Sequence, residues 1–168
     1  MGLMSFIKEA GEKLFHRHEG AQAATEAVKA DPSPDNVAAL SAAAGDAIAT
    51  YIRAMNLNVE ALDVAFDAPS STVTVAGVAP DQDTKEKVLL CCGNVEHVAA
   101  VNDMMTVAEP ADEAQYYTVE KGDNLSKISK AFYDTPNKYQ AIFEANKPML
   151  SHPDKIYPGQ VLRIPAEA

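Results

Sequence analysis

The chain has no tryptophan, only two cysteines and no long apolar run. Nothing in it approaches the ~20 apolar residues that a membrane-spanning helix needs. The N-terminus, MGLMSFIKEAGEKLFHRHEG, carries charges from Lys8 and Glu9 onward and lacks the apolar core of a signal peptide. Gly2 follows the first methionine, but Phe6 stands where a myristoylation signal needs Ser or Thr. A cytoplasmic location is expected. Cys91 and Cys92 are neighbours in a predicted helix, where adjacent side chains diverge. They are expected to be buried thiols, because a bridge between them would be strained. Basic charge is also scarce, with 14 Lys and Arg against 24 Asp and Glu and a net charge of −10. That balance argues against nucleic acid and against anionic membrane surfaces. Ser126 and Ser129 have no His and carboxylate arranged to make a nucleophile, so no enzyme is expected.

What remains is a chain of 168 residues and 47% hydrophobic content, enough for two small domains or one ordinary one. Charge divides it. Residues 1–114 hold 7 basic and 18 acidic groups, whereas residues 115–164 hold 7 basic and 5 acidic. Two mutually attracting domains would give this asymmetry, and an acidic first half gathers cations.

Leu3, Phe6, Ile7, Ala10 and Leu14 recur at helical spacing and predict an amphipathic helical segment within 1–19. It ends at Gly11 or continues through Phe15; the pattern allows both. Residues 20–36, rich in Ala, Asp, Ser and Pro and including DPSPD, read as a linker. Asp35 or Asn36 is then expected to cap a helix with the stripe Val37, Leu40, Ala44, Ile48, Ile52 and Met55. Two alternating segments, Val59 to Phe66 and Thr72 to Val78, flank Asp67-Ala-Pro-Ser and predict a hairpin.

KEKVLLCCGNVEHVAAV, residues 85–101, comes next. Lys85, Val88, Leu89 and Cys92 lie at helical spacing, and Asp83, three residues before Glu86, nearly matches a capping box. Gly93-Asn94 is expected to end the helix in a left-handed turn, before a β-branched run from Val98 to Val101. The last carbonyls of a helix lack partners within it and carry the negative end of its dipole. This turn is therefore a candidate cation site. The first domain, 37–108, should run helix, strand, strand, helix, strand, with an acidic linker at 109–114.

Residues 115–165 have a different character. Tyr117 and Val119 predict a short strand, Gly122-Asp123 a turn, and Asp123 or Asn124 a helix cap. Leu125, Ile128 and Phe132 mark one helix; Tyr139, Ile142 and Phe143 mark another. Pro158-Gly159 turns the chain into a returning strand, Val161 to Ile164, paired antiparallel with the first.

YTVEKGDNLSKISKAFY, YQAIFEANKPML and IYPGQVLRIP resemble a LysM domain, with Asn124 in place of the usual Thr. The αββαβ order before it, with TVAGVAP and VAAVNDMM, resembles a BON domain, which implies an α/β sandwich with two helices on one face of a three-stranded sheet. Together with the N-terminal MGL-x-x-F-x-K-x-AGEKL segment, nearly the whole chain resembles the bacterial cytoplasmic potassium-binding protein family. Residues 20–36 are longer than that family's pattern. The resemblance implies one K+ site made of main-chain carbonyls at Ile7, Lys8 and Ala10 and at Gly93, Val95 and Val98. It also implies a monomeric sensor or buffer that changes conformation on binding. Neutral oxygens in a roomy cage suit K+, whereas a carboxylate cluster would favour calcium or magnesium.

Other clusters carry less. His16 and His18, two apart, diverge on a helix and read as a surface pair. Asp81, Asp83 and Glu86 lack the glycine and length of a calcium loop and read as helix-start acids. The competing reading is a peptidoglycan-binding protein, with LysM in contact with N-acetylglucosamine chains; it requires export. A membrane-surface or scaffold role through the BON domain is disfavoured by the acidic charge.

Overall fold

The computed structural model describes residues 2–5, 30, 33–95 and 98–166. β1 (Gly2–Ser5) leads into α1 (Pro34–Ala54), β2 (Glu60–Asp67), β3 (Thr72–Asp81), α2 (Gln82–Gly93) and β4 (Ala100–Glu109). A second unit follows: β5 (Gln115–Thr118), α3 (Leu125–Tyr133), a 3-10 turn (Pro136–Lys138), α4 (Tyr139–Ala145) and β6 (Val161–Ile164). The expected αββαβ and βααβ orders are both present.

The first sheet has the order β1-β4-β3-β2. β2 and β3 form the expected antiparallel hairpin, and β3 and β4 run parallel across the α2 connection. Val73 and Val101 are register partners and both are completely buried, so they mark one face of the sheet. Both helices cover that face, through Ile48 and Ile52 of α1 and Val88, Leu89 and Cys92 of α2. Gly45 sets the distance between α1 and β2: a Cβ there would lie 2.7 Å from the Val64 carbonyl.

Three expectations are corrected. The sheet has four strands, not three, because Gly2–Ser5 pairs antiparallel with β4. Leu3 therefore belongs to a strand and not to the expected helix; the open edge of β4 offers main-chain partners that outweigh a weak local preference. The rest of that helical stripe, Phe6 to Leu14, lies outside the described residues. The 20–36 linker is shorter at its C-terminal end, since Ala30 is helical and α1 starts at Pro34. Ser33, not Asp35 or Asn36, takes the N-cap position, and Pro34 fits the first helical turn, where no donor is needed.

In the second unit β5 and β6 pair antiparallel over a core of Val119, Leu125, Ile128, Ile142, Leu150, Leu162 and Ile164. Gly122 takes a positive φ of 89° in the turn, and Asn124 caps α3 by accepting from the Lys127 amide at 2.9 Å.

Candidate cation site

α2 begins where Asp81 accepts a hydrogen bond from the Thr84 amide at 2.7 Å. That bond holds the Asp81 carboxyl below its ordinary range. The cap is thus Asp81 and not Asp83, which with Glu86 has another task described below. The helix then buries Val88, Leu89, Leu90, Cys91 and Cys92. Burial pushes the Cys92 thiol up to about 12 and raises Cys91 as well, so neither is a thiolate at neutral pH.

The helix stops at Gly93 without the expected left-handed turn. Asn94 has φ −90° and ψ −1°, and its amide donates back to the Leu90 carbonyl at 3.0 Å. The Val95 amide reaches the Cys92 carbonyl at 3.4 Å, and the Val98 amide reaches that of Val95 at 3.2 Å. A tight right-handed close has consumed the carbonyls that a left-handed cap would have served. Val95 and Val98 are 2% and 0% exposed, their side chains in the apolar core. At Val95 and Val98 a ligand would therefore find only main-chain oxygen, and a carbonyl that has accepted one hydrogen bond keeps a second lone pair. The negative end of the α2 dipole faces the same place.

β1 ends near this loop. Its antiparallel register sets Gly2 opposite Asp103 and Ser5 opposite Ala100. The chain leaves β1 two residues along β4 from Val98. Ile7, Lys8 and Ala10 lie outside the described residues.

The LysM-like unit grips α2 at both ends. Near the start, Arg163 donates through Nε to Glu86 and through Nη1 to Asp83 at 2.7 Å. Glu86 is only 2% exposed and also accepts from the Ala114 amide and the Gln82 side chain, each at 2.9 Å. At the other end, the Asn94 carboxamide donates to the Val161 carbonyl and accepts from the Val161 amide, both at 3.0 Å. Within the second unit Asn146 makes the same pair of bonds to the Arg163 main chain, both at 2.8 Å. Val161 and Arg163 are two apart on β6, so the two carboxamides meet one edge of the strand. None of these roles was visible beforehand. Helix-start acids and a polar helix stop look alike whether or not a second domain docks on them.

Among curated proteins, the potassium binding protein Kbp of Escherichia coli O6:H1 is 41% identical over 167 residues, 99% of this chain and 100% of that protein. The chain belongs to the family of that protein. The LysM domain family model matches residues 117–165. An uncharacterized protein of Deinococcus radiodurans is 49% identical over 49 residues, 29% of this chain and 19% of that protein. Among the described residues, no group of three or more His, Cys, Asp or Glu is placed to hold a metal. Among the same residues, no helix is long and apolar enough to cross a membrane.

Proposed function

We propose that this protein is a cytoplasmic K+ sensor or buffer, a binding protein without catalytic activity, whose first unit is a BON domain. The full-length likeness to a potassium binding protein carries this reading. The ion is held by the main-chain carbonyls of Gly93, Val95 and Val98 on the loop after α2 and of Ile7, Lys8 and Ala10 on the N-terminal segment. Two observations support that choice. Val95 and Val98 are buried in the core, and β1 ends opposite Ala100, two residues along β4 from Val98. Binding draws the two segments together and shifts the molecule toward one conformation.

A cage of neutral carbonyls prefers K+ to Na+, because the smaller ion cannot touch every oxygen without collapsing them. Calorimetric titration at constant ionic strength should therefore show K+ binding well ahead of Na+. Equal affinity for the two ions sinks the proposal, and preferential binding of calcium or magnesium points instead to surface carboxylates. Deleting residues 1–11 removes β1 with the proposed carbonyls, and should abolish most of the K+ heat while leaving the core of β2, β3, β4 and their two helices folded.

A second reading rests on the LysM match. A groove of about 450 Å3 is lined by Asn124, Leu125, Ser126, Tyr139, Pro153 and Asp154. Its polar groups and the exposed Tyr139 ring suit an N-acetylglucosamine chain. Co-sedimentation with peptidoglycan tests it.

A further inference from the structure

We infer that the LysM unit controls the cation loop through a two-point clasp on α2, with Asn94 as the residue that positions the loop's carbonyls. This rests on the potassium reading above.

The clasp has a definite direction. β6 runs against α2, with Val161 beside Asn94 at the helix end and Arg163 beside Glu86 and Asp83 near its start. Neither contact is incidental. Glu86 is buried, and two of its three donors, Arg163 and the Ala114 amide, come from the LysM unit and the segment that leads into it. Glu86 thus ties α2 to the docked unit by two hydrogen bonds, the one from Arg163 between charged groups.

Asn94 transmits that docking to the site. The Gly93 carbonyl and the Asn94 amide form one planar peptide group, so holding Asn94 holds that carbonyl. Asn94 is held from two sides: its amide is bonded to Leu90, and its carboxamide is bonded twice to Val161. Val95 follows directly. Docking of β6 thus pins the peptide group between two of the proposed ion-binding positions. Linkage makes the coupling reciprocal: a docked LysM unit tightens K+ binding, and K+ tightens docking by the same factor.

The test is K+ titration of the full chain by calorimetry at constant ionic strength, for wild type, Asn94→Ala, Arg163→Leu and the double variant. Asn94→Ala leaves net charge unchanged and should weaken K+ binding about tenfold, the scale of one or two lost hydrogen bonds. Arg163→Leu removes a positive charge, which by simple electrostatics would strengthen cation binding. Coupling predicts the opposite sign, a loss of about threefold or more. The double variant should be no weaker than the weaker single variant, because one link is cut twice. Glu144→Gln, at an exposed ion pair with Lys147, is the control and should keep wild-type affinity. If Arg163→Leu does not fold, Asn94→Ala decides alone. Wild-type binding with unchanged affinity in Asn94→Ala overturns the clasp and leaves the potassium reading standing. A wild type that gives no K+ heat overturns the potassium reading, and the clasp falls with it.

Discussion

The LysM unit and the α/β unit before it are held together by different parts of the residue. In the LysM unit, side-chain polar groups tie elements to one another: Asn124 caps α3, and Tyr117 donates to Asp123 at 2.7 Å. Asn146, 2% exposed, joins α4 to β6 with three hydrogen bonds. The α/β unit relies on packing, with Ile48, Ile52, Val73, Val75, Val88 and Val101 completely or almost completely buried. Its proposed chemistry lies in the main chain. A unit built on side-chain bonds records its structure in distinctive residues, whereas one built on apolar packing and backbone oxygens leaves few marks.

The sharpest way to break this contrast is Asn146→Ala. It strands the buried amide and carbonyl of Arg163 and should cost about 3 kcal/mol in urea unfolding. A loss below about 1 kcal/mol would mean that packing dominates in the LysM unit too. On the other side, Gly45→Ala drives a methyl into the Val64 carbonyl and should cost about 2 kcal/mol by forcing α1 away from β2. An unchanged melting temperature there would show that α1 is free to shift and that the packing is not tight.

Asp81→Ala is the smallest of the three and sharpens the comparison by testing a side-chain bond inside the packed unit. Loss of the cap should cost about 1 kcal/mol at neutral pH. The folded carboxyl has a depressed pKa, so its stabilisation is full above the unfolded carboxylate range and fades as pH falls through the folded value. The gap between wild type and variant should therefore narrow below about pH 4. Equal gaps at neutral and acid pH would assign the effect to something other than this bond.

The same contrast explains what could be read from the residues alone. The LysM unit was legible almost element by element, because Gly122, Asn124 and Pro158-Gly159 mark its turns and cap. The αββαβ order was legible from hydrophobic period, as was the hairpin around Asp67-Ala-Pro-Ser. β1 was not: four residues give no period, and their strand depends on an edge of β4 that is distant in sequence. Asn94 showed only that the helix ends, since its partner lies 67 residues away. Glu86 and Arg163, 77 residues apart, were legible only as charges. The proposed ion positions had no signal of their own, because Val95 and Val98 are ordinary core side chains and any residue has a carbonyl.

The two asparagines that bond to β6 also bear on what parting of the units would expose. An unpaired strand edge invites a foreign strand to add to it, and a two-stranded sheet has little else to discourage that. Here the outer edge is closed by carboxamides from two sources, Asn94 of the first unit and Asn146 of the second. If the units part, Asn94 leaves with α2, but Asn146 stays on Arg163. The exposed length is then one residue's donor and acceptor, too short to seed a β-ladder between molecules. Parting of the two units would therefore not by itself open β6 to self-association.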